Sequence, residues 1–369
     1  MTTLFERHQL GDLILPNRIV MAPMTRVRAT PDGRATPSMA AYYAQRATAG
    51  LIVSEGVHPN RVGQSNPGTP GLATDEQADS WRAVTDAVHV NGGRIFAQLM
   101  HGGRVSHPDT TGLQPVGPSA VPATGEVFTP NGPRPVPVPR ALATAEVPEQ
   151  ARSYGEAARR GVAAGFDGVE LHGANGYLIS QFLSSTANRR TDAYGGSIAR
   201  RIRFAVEAVE ATVDAIGAGR TGIRLSPGAS FWGAEETDVP GLYAALLAEL
   251  SRFDLAYVHL EATTDPDTLL GLRTAWDGTL IVNPTVPMGS RRTDRAAADH
   301  WLGLGADLVS FGRPFISNPD LVERVRAGLP IVEDDEATWY QGGDGGYLDY
   351  PTYRYAAAAP ALAAASAAR

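Results

Sequence analysis

His172, Asn175 and Tyr177 fall within the run His172-Gly173-Ala174-Asn175-Gly176-Tyr177, and their types suit one kind of chemistry. A histidine and an asparagine at this spacing are one helical turn apart, so both can donate to a single oxygen. Two such donors polarise an α,β-unsaturated carbonyl or a nitro group and make the β-carbon an acceptor of hydride. Tyrosine, with a reference pKa of about 10, stays protonated at neutral pH and can give the α-carbon its proton. A lone histidine here would more often be a helix-entry residue bonded to nearby backbone. Asn175 and Tyr177 tip the balance towards a clamp with an acid beside it. Gln181-Phe182-Leu183 and Asn188-Arg189-Arg190-Thr191-Asp192-Ala193-Tyr194-Gly195-Gly196-Ser197 follow directly.

Other polar residues stand at the ends of apolar runs. Gly312-Arg313 combines an unobstructed backbone N–H with a bidentate donor, a combination suited to phosphate. Arg224 ends an otherwise buried run, where a cation requires a negative partner. That partner is either a structural carboxylate or an anionic flavin ring. Gln98 can donate and accept at once, as the edge of such a ring demands, and Thr25 can donate one hydroxyl hydrogen bond to a ring carbonyl. His101-Gly102-Gly103-Arg104 and the arginine-rich stretch at 188–192 read as scaffolding. Tyr340, beside Gly342-Gly343, suits either a lid or the core, and Tyr347 suits the core.

These residues need a frame that brings strand ends together. Short apolar runs recur at 19–22, 51–54, 94–99, 168–171, 222–226, 255–260, 280–282 and 308–311. Helix-like stretches lie between them at 75–90, 149–164, 197–216, 239–252, 265–275, 293–304 and 319–327. Alternation of this kind implies a parallel sheet, and eight strands imply a closed (β/α)8 barrel, or TIM barrel, as a single α/β domain over 1–369. An open doubly wound sheet would normally carry a glycine-rich first turn, whereas Pro23-Met24-Thr25-Arg26 follows the first strand. The segment 4–15 is expected to form a hairpin under the barrel floor. The segment 114–148 carries nine prolines and reads as an extended excursion over the mouth after strand 3. The alanine-rich end, 356–369, is a last covering helix or a frayed tail. Function in such barrels gathers at the carboxyl ends of the strands. Here that rim is Pro23 to Thr25, Glu55, Gly56, Gln98, His172, Arg224, Glu261, Asn283, Gly312 and Arg313.

Composition removes several alternatives. The chain of 369 residues has no cysteine, which excludes disulfides, thiolate catalysis and cysteine-held metal or iron–sulfur centres; no metal site is expected. Only 19% of residues are charged and the net charge is -7, which argues against a phosphate-contacting nucleic-acid surface. No apolar run suggests a signal or a membrane span, so a cytoplasmic protein acting on a small molecule is expected. All 32 basic residues are arginine. A Schiff-base aldolase therefore lacks its lysine.

The motifs together are recognisable. Residues 15–26, Gln98-Leu99, 172–177, 188–197, Arg224-Leu225-Ser226-Pro227 and Phe311-Gly312-Arg313-Pro314 resemble the old yellow enzyme family of FMN-dependent ene-reductases. The pattern is nearest to bacterial N-ethylmaleimide and pentaerythritol tetranitrate reductases. The resemblance implies bound FMN, reduced by NADPH or NADH, and ping-pong reduction of activated alkenes such as enones and maleimides, with nitro compounds as further substrates. Flavin nitrogen 5 would deliver hydride to the β-carbon. By carry-over, Thr25, Gln98 and Arg224 hold the flavin and Pro23, Met24 and Gly56 line its ring. Gly312 and Arg313 take the phosphate, His172 and Asn175 bind the substrate, Tyr177 is the proton donor and Tyr340 stands at the pocket entrance. The chain departs from the family at Met100, where relatives commonly have tryptophan, so this residue is expected to reshape the substrate pocket. It departs again in the strand-seven loop, where Gly289 and Arg291 are the phosphate candidates. Thr25 in place of a cysteine points away from the thiol-bearing branch. A flavin-binding barrel with a sensor role is the other reading, and monomer and homodimer both stay open.

Overall fold

The structure, a computed structural model, describes residues 3–284 and 293–353. Gly289, Arg291 and the alanine-rich tail lie outside the described residues.

Eight parallel strands close into a barrel in the order of the chain. They are β1 (Ile19–Met21), β2 (Leu51–Val57), β3 (Ile95–Leu99), β4 (Gly168–Gly173), β5 (Thr221–Leu225), β6 (Tyr257–Glu261), β7 (Leu280–Asn283) and β8 (Leu308–Phe311). Closure is made by β8 against β1, where Phe311 pairs with Met21. The strands are covered on both faces, which explains why they read as continuous apolar runs without alternation. β2 runs beyond its predicted end at Ser54, and its ladder with β3 shifts register between Val53 and Gly56. That bulge turns Glu55 away from the rim into the core, where it has no exposed surface.

The outer layer consists of α1 (Pro37–Gln45), α2 (Asp75–Val90), α3 (Val147–Ala163), α4 (Arg203–Ile216), α5 (Val239–Leu250), α6 (Pro266–Thr274), α7 (Arg295–Gly303) and α8 (Leu321–Ala327). The sequence pattern did not predict α1, although Thr36 caps it by accepting from the Met39 N–H and Pro37 opens it. The expected hairpin exists: His8–Leu10 pairs antiparallel with Leu13–Leu15. Its Leu10 and Leu15 pack with Val20, Leu51, Phe96 and Ile281 to close the barrel floor.

The excursion after β3 is more regular than its prolines suggested. Glu126–Thr129 pairs antiparallel with Gly132–Pro135. Val127 is buried against Val105, Ala123 and Val136, with Tyr177 and Trp232 packed on the same cluster. The excursion therefore reaches the mouth of the barrel.

Candidate active site

β4 carries Glu170 and His172 into the barrel, where both are buried. Beyond Gly173 the chain does not continue as a helix. Asn175 has φ +59° and Gly176 φ +77°, two left-handed residues in succession. A side chain at Gly176 would stand 2.7 Å from the carbonyl of Phe231, so only glycine fits this turn. The Asn175 N–H donates to Ser226 Oγ at 2.9 Å and fixes the turn against the end of β5. His172 and Asn175 therefore meet through a strand end and a tight turn, not through the helical spacing expected. The short helix Leu178–Leu183 begins immediately after Tyr177.

Pro23, Thr25, Gln98, Met100, His172, Asn175, Tyr177 and Arg224 line one cavity of about 240 Å³. Phe231 and Trp232 complete its wall, and the sequence reading missed both. Their signal was two adjacent aromatics in the loop after strand five, at the carboxyl end of the barrel where function gathers. Thr25, Tyr177 and Trp232 also line an outer cavity of about 510 Å³, together with Val127, Phe128 and Tyr340. Tyr340 is 52% exposed, so it belongs to this vestibule and not to the core. Tyr347 is core, stacked on Tyr42 at 4.1 Å.

Gly56, Met24, Gly312 and Arg313 are not among the residues that line this cavity. Gly56 supports Met100: a Cβ on Gly56 would stand 2.7 Å from its sulfur. Met24 sulfur lies 3.8 Å from the position a Gly312 Cβ would take. The Arg313 guanidinium sits 4.4 Å over the Trp339 ring.

Arg224 donates from Nη2 to Glu261 at 3.1 Å and to Asn283 Oδ1 at 2.8 Å. The rim residues Glu261 and Asn283 are thus its partners. Gln98 Nε2 donates to Glu170 Oε1 at 2.8 Å and lies 3.4 Å from His172 Nδ1. A carboxylate only accepts, so Glu170 fixes which end of the Gln98 amide faces it. Burial, with Arg224 and His259 nearby, holds the His172 imidazole well below its ordinary range, so it is neutral. Burial pushes the Tyr177 hydroxyl up to about 12. His172 thus offers a neutral donor and Tyr177 a retained proton.

The scaffolding assignments hold. His101 Nε2 pairs with Gln150 at 3.1 Å, and Arg104 donates to the carbonyls of Val121, Pro122 and Trp232. Arg190 pairs with Asp192. Arg26 and Arg28 anchor the segment that carries Tyr340. Arg26 donates to the carbonyls of Trp339 and Gly346, and Arg28 to those of Thr338, Trp339, Gln341 and Gly343.

Two buried polar atoms of the cavity residues lack a partner among the described residues, Arg224 Nε and Asn175 Oδ1. An unsatisfied cationic donor in a barrel mouth fits the electron-rich edge of a flavin. A closed parallel barrel with this rim is that of a flavin-dependent oxidoreductase. The chain belongs to the old yellow enzyme group of the NADH:flavin oxidoreductase / NADH oxidase family, whose model matches residues 3–331. It is 40% identical over 353 residues to a probable flavin mononucleotide-dependent alkene reductase of Leishmania infantum, covering 93% of this chain and 95% of that one. The structure of morphinone reductase in complex with tetrahydroNAD superposes with a TM-score of 0.90 at 43% identity, covering 95% of this chain and 98% of that one. The old yellow enzyme homologue of Zymomonas mobilis gives 0.90 at 39% identity, covering 95% and 99%. The protein is accordingly an FMN-dependent NAD(P)H oxidoreductase of the ene-reductase type. Among the described residues, no helix is long and apolar enough to cross a membrane.

Proposed function

We propose that this protein reduces the C=C bond of α,β-unsaturated carbonyls and maleimides, and nitro compounds by the same clamp, in two alternating half-reactions. The observation that carries this reading is that His172, Asn175 and Tyr177 share one cavity with Gln98 and Arg224. The chemistry that FMN would supply when bound is hydride, taken from NADPH or NADH, for the β-carbon of the alkene. Thr25, Gln98 and Arg224 would hold its polar edge, Pro23, Met24 and Gly56 would flank the ring, and Gly312 with Arg313 would bind the phosphate. His172 and Asn175 donate to the substrate oxygen and withdraw electron density from the alkene. Tyr177 protonates the α-carbon. Burial keeps this proton on the phenol across the physiological range, which suits an acid that must not ionise before the substrate arrives. Met100 and Tyr340 bound the space for the rest of the substrate.

The test is anaerobic absorbance of the purified protein with NADPH or NADH and then 2-cyclohexenone. Bleaching of the yellow band followed by its return supports both half-reactions. Bleaching by either nucleotide without return on addition of enones, maleimides or nitroalkenes would overturn the alkene assignment.

A further inference from the structure

Beneath the cavity a line of hydrogen bonds crosses the barrel interior. Ser310 Oγ lies 2.8 Å from His259 Nε2, and His259 Nδ1 lies 2.8 Å from Glu170 Oε2. The other oxygen of Glu170 accepts from Gln98, whose amide nitrogen also reaches His172. Ser310, His259 and Glu170 have no exposed surface. Barrel interiors are ordinarily filled by branched aliphatic residues, and a buried carboxylate is costly unless its oxygens are satisfied. Packing alone does not require this set.

The chemistry of each atom fixes the direction of every link. Burial pushes the Glu170 carboxyl up, but His259, Arg224 and Gln98 outweigh it, and the group stays ionised below the usual carboxylate range. Both its oxygens therefore accept, so His259 donates from Nδ1. Burial outweighs Glu170 at His259 and keeps that imidazole neutral, so Nε2 accepts from the Ser310 hydroxyl. At the other end, one Gln98 amide hydrogen goes to Glu170. The second goes to His172 Nδ1, which must then accept, and the His172 proton is left on Nε2.

We propose that Glu170 is a positioning residue: by holding the Gln98 amide in one orientation it sets what Gln98 offers the flavin and which nitrogen of His172 carries the proton offered to the substrate. His259 and Ser310 hold Glu170 in turn. The inference rests on the FMN-dependent reading of the cavity above.

The experiment uses wild-type holoenzyme and the variants Glu170→Gln, His259→Gln and Ser310→Ala. The midpoint potential of bound FMN and the dissociation constant of 4-chlorophenol, a probe for the clamp, are measured for each. In Glu170→Gln the anion is gone and the amide of Gln98 has no single orientation. The potential should rise by about 30 mV, equivalent to a tenfold change in relative affinity for the two redox states. Phenol affinity should fall about tenfold. The other two variants should move both values in the same direction by less, and they carry the test if Glu170→Gln does not fold. Variants that bind FMN with wild-type potential and wild-type phenol affinity, losing only thermal stability, would overturn the proposal. A wild-type protein that does not bind FMN would instead overturn the reading beneath it.

Discussion

The ring of Tyr177 lies 5.2 Å from that of His172, tilted by 45°, although His172 lies in a strand and Tyr177 stands at the start of a helix. The tight turn at Asn175 and Gly176 brings both rings to the wall of one cavity. If Tyr177 gives the proton, Tyr177→Phe should reduce its flavin at the wild-type rate with NAD(P)H. Reoxidation by 2-cyclohexenone should slow by about 10²- to 10⁴-fold. Stopped-flow absorbance separates the two steps, and equal losses in both would rule Tyr177 out as the donor.

The clamp predicts a different pattern. His172→Ala and Asn175→Ala should each weaken enone and phenol binding by about 10- to 100-fold, the loss of one well-placed donor. FMN content should be unchanged. Titration followed by the flavin spectrum measures both, and unaltered ligand affinity in the two variants would remove the clamp.

Arg224 is tied to Glu261 in a mostly buried pair, with side chains 7% and 12% exposed. Arg224→Ala leaves that carboxylate without its cation, a change that costs about 3–5 kcal/mol in such settings. It should also release FMN. In the double variant Arg224→Ala/Glu261→Ala, denaturant melts should recover much of the stability while FMN binding stays weak. Recovery of FMN binding as well would mean that Arg224 serves the fold alone.

Glu55 sets a pH dependence. Burial pushes its carboxyl up from 4.5 to about 7, against hydrogen bonds from the Arg26 N–H and the Tyr43 hydroxyl. Below about pH 4.5 the group is protonated in folded and unfolded chains alike, and its contribution is fully present. Between about 4.5 and 7 the unfolded chain ionises first, so stability falls by an amount on the order of 3 kcal/mol and changes no further above that range. The melting temperature of wild type relative to Glu55→Gln should therefore drop across that window and then level off. A constant difference would show that Glu55 titrates normally.

Much of the barrel was legible because its strands are buried on both faces, and in β3, β4 and β5 a polar residue stands one place before the end. Gln98, His172 and Arg224 could be placed at the rim from that transition alone. Glu55 was misplaced because a bulge is a matter of pairing with β3, which local composition does not report. The helix at 37–45 was missed although Thr36 and Pro37 announce it, since its apolar periodicity is weak. Phe231 and Trp232 reach the cavity through a loop whose path depends on Arg104 and the excursion. The geometry of Asn175 was mistaken because an asparagine can adopt a left-handed backbone that its spacing from His172 conceals. The line from Ser310 to Gln98 joins four strands, and no local window contains it.

The hydrogen bonds from Arg26 and Arg28 to the segment 338–346, which carries Tyr340, all go to main-chain carbonyls. Every residue type presents the same carbonyl, so these hydrogen bonds are indifferent to the side chains at 338–346. Substitutions at Tyr340 and Gln341 can then alter what enters the vestibule while the segment stays in place. The acceptance of new substrates is thereby uncoupled from the integrity of the barrel, and selection can act on one without disturbing the other.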